Sequence, residues 1–320
     1  MLALILGQHP EIFSFHELHF FEELWDPVKA ENPLKDKEAI NLFARLITIQ
    51  RDGYFTQRSL SSYAKEAEKI LAQQTNSLTP PSLFAAFLNY EAQRHNKTIA
   101  CDQTPRNVFY LKEVLSLFPE AYAINIVRDP RDIILSQKGK WRRRYLGMSD
   151  IPRKEMIRAW SNYHPITISM LWNSSINAAK NFKNHPRVFH VRFEDLVSDP
   201  EKWIKQLCDL IEVEYKPEML LVPQTGSSHK MDEPQAKGID PSVAQRWKRQ
   251  KQHQNDLFIC QKITKSNMQT HNYAQASLQK NWLVILWIIL LWPIKSILAF
   301  ILNIRRVKNL TSTLKKRFSM

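Results

Sequence analysis

The chemistry-bearing residues are densest in Ile126-Val-Arg128-Asp-Pro-Arg131-Asp-Ile-Ile-Leu-Ser136, where an apolar run meets two arginines, two aspartates and a proline. A strand that ends where a helix begins leaves unpaired N–H groups at the helix N-terminus. With a bidentate guanidinium beside them, they suit a phosphate-like anion. Ser136 lies eight residues after Arg128, about two helical turns along, so the two reach one group only if the strand end folds beside the helix. The same residues also suit a plain Arg/Asp salt-bridge knot around a turn, and spacing alone leaves both readings open. Just beyond, Lys138-Gly-Lys140-Trp141-Arg142-Arg143-Arg144-Tyr145 suits a nucleic-acid patch with an aromatic platform or a solvated basic turn. Because it follows the anion-binding helix directly, a nucleotide phosphate or an acidic acceptor is the more economical partner.

These residues need a scaffold, and the periodicity predicts one. Helices are expected over Met1–Leu6, Lys37–Ile49, Ser59–Gln73 and Pro80–Arg94, the last with Thr79 as N-cap and prolines in its first turn. From Ile99 the pattern changes to short strand, turn and helix. Ile99–Cys101, Tyr122–Val127 and Val188–Phe193 read as strands. Helices are expected from Thr104-Pro105 to Phe118, over Ile133–Lys138, over Pro152–Lys180 with an interruption at Pro165, and from Asp199-Pro200 to Ile211. Strands alternating with helices argue an α/β fold with a largely parallel, helix-covered sheet.

Composition narrows the function. The chain has 320 residues, 44% of them hydrophobic, which is enough for a sizeable core. Only six glycines occur, and no two are close enough to write the dinucleotide fingerprint or the glycine-rich phosphate loop that ends in Gly-Lys. Three widely spaced cysteines, Cys101, Cys208 and Cys260, make neither a disulfide framework nor a zinc knuckle, and a reducing compartment fits them. The net charge of +14 resembles a nucleic-acid binder's, but from Ser277 to Met320 there is no acid, and eight bases there supply over half the excess. Trp282–Ile304 is long and apolar enough to cross a bilayer, with Pro293 and Lys295 at its centre. A Pro293-broken segment lying in, or dipping into, the membrane's inner face would keep the basic tail on anionic lipid, and the sequence leaves open whether it does so or spans.

The run IVRDPRDIILS, preceded by TPRNVFYLKEVLSLFPEA and followed by HVRFEDLVSDPEKWIKQLCDLI, resembles the sulfotransferases that use 3′-phosphoadenosine 5′-phosphosulfate (PAPS), most closely the bacterial and tyrosylprotein-like branch. The resemblance covers Met1 to about Met268, with three segments in the expected order. It implies a P-loop-NTPase-like sulfotransferase fold, an α/β architecture with a mostly parallel central sheet flanked by helices, followed by the C-terminal hydrophobic segment. It implies further that Arg128 and Ser136 hold the donor's 3′-phosphate, with Lys140 one helical turn on. In His9-Pro10 through Glu17, it makes Glu17 the general base, flanked by His16 and His19 as competitors. A carboxylate can take the proton of an attacking hydroxyl, although a solvent-facing glutamate at a helix start fits the sequence equally. Lys237 and Arg246, ahead of Trp247, match the late loop that closes over the donor, and they also suit a solvated basic loop. Phe193 falls where relatives have an aromatic residue against the adenine, or it is strand core.

Two departures stand out. Relatives place an Arg-Ser/Gly-Gly-Thr-Thr-like turn for the 5′-phosphosulfate before the helix that leads to His-Pro, and this sequence starts at Met1, after that point. The expected organisation is a sulfotransferase domain over 1–275 lacking the N-terminal strand and this loop, a hydrophobic membrane segment over 282–304 and a basic tail over 305–320. Gln103 stands where relatives carry a lysine that assists at the sulfuryl bridging oxygen. The expected function is sulfuryl transfer from PAPS, as co-substrate and without a metal, to a hydroxyl of a carbohydrate, glycolipid or protein side chain. The expected partners are this acceptor and a membrane surface on its cytoplasmic face, with no nucleic acid, and the sequence leaves the oligomeric state undetermined. The alternative is a catalytically inactive, sulfotransferase-like nucleotide- or membrane-binding protein.

Overall fold

The computed structural model describes residues 1–30, 32–54, 61–73, 78–142, 151–224, 233–250 and 252–304. It is a mixed α/β structure that divides into two compact units, one formed by Met1–Pro119 with Lys216–Val222, the other by Glu120–Tyr215 with the chain from Pro223 onward.

The first unit is mostly helical. Helix α1 (Leu2–Gly7) leads to β1 (Ile12–Ser14), and the chain then runs through one wide turn at Phe20–Leu24 to α2 (Asp36–Asp52), α3 (Ser61–Leu71) and α4 (Pro80–Arg94). Helix α4 starts as its sequence dictates: the Thr79 side chain accepts from the Ser82 N–H, and the prolines occupy positions whose N–H groups would have no partner. Strand β2 (Ile99–Cys101) pairs in parallel with β1, Ile12 opposite Ile99 and Ser14 opposite Cys101. Phe15, Leu18, Phe20, Phe21, Phe43 and Phe87 make an aromatic-rich core with the inner faces of α2 and α4. Arg51 of α2 ties that core's edge to Glu66 of α3 and Glu91 of α4.

One local expectation fails here. Thr104 does not cap a helix. Pro105–Tyr110 forms a tighter 3-10 turn, and α5 (Leu111–Leu117) follows it. The reason is a longer-range bond, since the Thr104 hydroxyl is taken by the backbone N–H groups of Leu18 at 3.0 Å and His19 at 3.3 Å.

In the second unit, β3 (Ala123–Val127) pairs in parallel with β4 (Val188–Arg192), and α6 (Pro130–Gly139), α7 (Arg153–Asn162) and α8 (Pro165–Lys180) make the crossover between them. Pro165 separates α7 from α8, as the missing N–H and the ring of proline require. Strand β4 stops at Arg192, one residue short of the expected end, because Phe193 opens α9 (Phe193–Ser198), and α10 (Pro200–Leu210) starts under an Asp199 cap. A short antiparallel pair, β5 (Pro223–Gln224) and β6 (Glu233–Lys237), precedes α11 (Gln254–Ile263), α12 (Lys265–Thr270) and α13 (Trp282–Asn303). Among the described residues the strands therefore pair two by two, one parallel pair in each unit, instead of lining up in one ladder.

Helix α13 runs unbroken through Pro293, contrary to the expected break. It packs against α7, α8 and α11, and the helix continues past the one internal hydrogen bond that proline cannot make. Arg143, Arg144, Tyr145 and the basic tail over 305–320 lie outside the described residues.

Candidate functional site

Two residues, Arg128 and Asp129, link the strand end to α6, and Asp129 is the N-cap of that helix. Its carboxylate accepts from the Arg131 backbone N–H at 2.9 Å, the Arg131 side chain at 2.7 and 2.9 Å, and the Trp247 indole at 3.0 Å. Arg131 is buried, donates onward to Gln261 and to the Ala274 carbonyl, and stacks over the Trp247 ring at 3.7 Å. The salt-bridge knot thus exists, and Arg131 makes it. One consequence revises the sequence expectation: the first N–H groups of α6 are taken by Asp129 itself, so the helix terminus is closed to an anion.

Arg128 behaves differently. Its guanidinium lies on the Phe193 ring at 4.2 Å, donates to the Val243 carbonyl at 2.8 Å and sits 3.7 Å from the Asp132 carboxylate. Burial draws it below its ordinary range against the pull of Asp132, and the charge of Arg246 pushes in the same direction as burial.

Asp132 sets the geometry. It is buried, and burial pushes its carboxyl up to about 6 despite Arg128 and the Trp247 N–H, which donates to Oδ1 at 2.8 Å. Arg128, Asp132, Ser136 and Lys140 follow one another at four-residue spacing, and Lys140 keeps helical geometry at the end of α6. Asp132, Ser136 and Lys140 thereby share one helix face, whereas Arg128 precedes the Asp129 cap. Arg128 meets this helix at its first turn, where its guanidinium lies 3.7 Å from the Asp132 carboxylate. Ser136 is half-buried and Lys140 exposed. Trp247, the neighbour of Arg246, is bonded to both Asp129 and Asp132. Lys237 is exposed at the end of β6, six residues before Val243. Phe193 is buried under Arg128.

Sequence reasoning missed the support beneath this turn. Glu194 accepts from the Asp129 N–H at 3.0 Å and from the Tyr273 hydroxyl at 2.7 Å, and the Trp172 indole donates to the Arg128 carbonyl at 3.0 Å. All of these partners are at least 44 residues away in sequence, and no local pattern signals them. Lys138, counted with the basic cluster, is paired with Asp256 at 2.6 Å.

In the first unit, Glu17 lies exposed in an irregular stretch after β1, not at a helix start. His19 comes within 3.5 Å of it, in a left-handed backbone conformation at φ 52°. Burial lowers the His19 imidazole, while Glu23 and Glu17 draw it upward. His19, Glu22 and Glu23 offer ligand atoms within 4.8 Å of one another, a partner set for His19 that the sequence reading did not foresee. Glu22 is already paired with Arg106, and Glu23 accepts from the Tyr54 hydroxyl at 2.6 Å, so each carboxylate has a donor. The His-x-x-Glu spacing of His19 and Glu22 was the available signal. Beneath the stretch, Asp102 accepts from Thr104 and Asn107 at 2.8 Å, and burial pushes it up to about 6. Gln103 is exposed.

Known proteins supply the frame for these groups. The chain is similar to a sulfotransferase domain from the curacin biosynthetic pathway, at 19% identity over 83% of this chain and 92% of that one, with a TM-score of 0.47. It is similar to the sulfotransferase domain of the Synechococcus PCC 7002 olefin synthase at 22% identity, over 86% and 90%, with a TM-score of 0.49. No curated protein matches its sequence. The family profile described as "Sulfotransferase family" matches residues 1–217, about two thirds of the chain. On that match, the chain belongs to the sulfotransferase family.

Proposed function

We propose that the protein transfers a sulfuryl group from PAPS to a hydroxyl of a carbohydrate, glycolipid or protein side chain. The observation that carries this reading is Arg128, held on the Phe193 ring and 3.7 Å from Asp132, beside the α6 face that bears Ser136 and Lys140. A half-buried guanidinium there fits the 3′-phosphate that distinguishes this donor, with Arg246 and Lys237 adding charge from the late loop. Phe193, already under the Arg128 guanidinium, offers an apolar edge for the base. The donor supplies an activated sulfur. The acceptor oxygen bonds to that sulfur as the bond from sulfur to the 5′-phosphate oxygen breaks, and the acceptor proton passes to the Glu17 carboxylate. Helix α13 associates the enzyme with a membrane, on the side where the donor is held.

Calorimetric titration with adenosine 3′,5′-bisphosphate, alongside sulfate transfer from labelled PAPS, tests the reading. Saturable binding that is lost in Arg128→Ala, together with transfer, is the expected result. Binding unchanged in both Arg128→Ala and Ser136→Ala would overturn the 3′-phosphate assignment. A second reading, an inactive nucleotide-binding relative, is favoured by one observation, the neutral Gln103 where the family carries a lysine. It predicts the same binding with no transfer.

A further inference from the structure

We propose that α13 lies lengthwise in the surface of an anionic bilayer, its apolar face in the lipid and its polar face latched to the second unit. The inference rests on the membrane association put forward above and specifies how it is made.

The polar contacts of α13 run from end to end. Asn281 caps the helix with its side chain, and its own N–H donates to Asn255 at 2.8 Å. Further along, the Ile288 carbonyl lies 3.1 Å from His164 Nε2, and the Trp292 indole donates to the Thr167 hydroxyl at 3.0 Å. Lys295 donates to the carbonyls of Trp160 and Tyr163 at 3.3 and 3.2 Å, with its ammonium 4.0 Å from the centre of the Trp160 ring. At the far end Arg158 donates to the Leu302 carbonyl at 3.1 Å, and Asn303 donates to Asn162 at 2.8 Å. Positions 288, 292, 295, 302 and 303 recur at helical spacing and form one stripe.

The opposite face is apolar and bare. Leu286, Trp287, Leu290, Ile294, Ile297 and Ile301 are each more than half exposed. The helix has 22 residues, which makes this stripe about 33 Å long. An uncovered apolar strip of that length marks a contact surface.

The latch decides the orientation. A helix bonded along its length to α7, α8 and α11 cannot cross a bilayer alone. A crossing would draw α7, with Arg153, Lys154, Glu155 and Arg158, into hydrocarbon, where each unneutralised charge is strongly disfavoured. Lying in the surface incurs no such cost and leaves Lys295 on its carbonyls. The lipid class follows from charge. Lys280 sits beside Trp282 at the start of the helix, and the sequence from Ser277 to Met320 carries eight bases and no acid, which complements anionic headgroups.

The test uses the full chain with phosphatidylcholine vesicles, with and without phosphatidylglycerol. Fluorophores on Leu286→Cys, Ile294→Cys and Ile301→Cys, each in a Cys101→Ala background, are read against lipid-borne quenchers at graded depths. The expected result is co-sedimentation only with anionic vesicles and one shallow depth for all three positions. The double variant Leu290→Glu/Ile297→Glu is expected to lose vesicle binding by about tenfold or more while melting at the wild-type temperature. A deep Ile294 between two shallow ends would overturn the in-plane arrangement and leave membrane association standing, as would vesicle binding by the double-Glu variant equal to the wild type. Equal binding to neutral vesicles would overturn the anionic assignment. No sedimentation with either vesicle would remove the membrane reading itself.

Discussion

The backbone N–H of Trp247 donates to Asp132 Oδ1 at 2.8 Å, and this bond between residues 115 apart in sequence ties the late basic loop to α6. Asp132 lies 3.7 Å from Arg128 and shares its helix face with Ser136 and Lys140, so the bond holds the turn that carries Arg246 against α6. Asp132 is thereby a positioning residue for the cations around it. It also opposes any anion they bind, since its own charge sits among them.

That dual role makes stability depend on pH in a defined direction. The Asp132 carboxyl titrates at about 6 in the folded chain, above the unfolded value near 3.9. The folded state therefore binds more protons between those values, and ionised Asp132 weakens the fold as pH rises through them. Asp132→Asn keeps the acceptor for Trp247 and removes the charge. Its melting temperature should exceed the wild type's at pH 7.5, and the difference should vanish below about pH 4. Thermal unfolding across that range measures it.

The two arginines of the turn should separate cleanly. Arg131→Met removes a buried partner of Asp129 and should cost about 3–5 kcal/mol of stability, read by denaturant unfolding. Arg128→Ala should cost much less stability and instead weaken adenosine 3′,5′-bisphosphate by about tenfold or more, the loss expected for a charged hydrogen bond.

Glu17→Gln should lower sulfate transfer by about 100-fold or more, the usual scale for a general base, with nucleotide affinity unchanged. The glutamate is exposed, so the melting temperature should not move. Steady-state turnover set beside calorimetric affinity distinguishes this from a lost binding contact.

Thr104→Val removes one hydroxyl that serves three partners: the N–H groups of Leu18 and His19, and the Asp102 carboxylate. Leaving these buried groups unsatisfied should cost about 1–3 kcal/mol. It should also loosen the segment that carries Glu17, seen as faster amide exchange at Leu18 and His19.

Elements whose ends carry their own chemistry were legible in the sequence. Thr79 with Pro80 and Pro81 marked the start of α4, Asp199-Pro200 that of α10, and Pro165 the break before α8. The shared face of Asp132, Ser136 and Lys140 followed from spacing once α6 was placed. What stayed hidden depends on partners far away in sequence. Thr104 has the residue type of a helix cap and precedes a proline, yet its hydroxyl is claimed by backbone 85 and 86 residues away. The division of labour between Arg128 and Arg131 was invisible for the same reason, because Gln261, Trp247 and Tyr273 decide it. Pro293 misled in the opposite sense: α13 continues through it and packs against three other helices.

The four-residue ladder on α6 has an implication for redesign and for natural variation alike. Inserting a single residue between Asp132 and Ser136 would rotate everything beyond it by about 100°. Ser136 and Lys140 would swing away from Arg128 although every side chain was still present. If the proposed 3′-phosphate site is right, the phase of this helix encodes it, and a variant that kept all the named residues but altered their count would read as intact while having lost its grip.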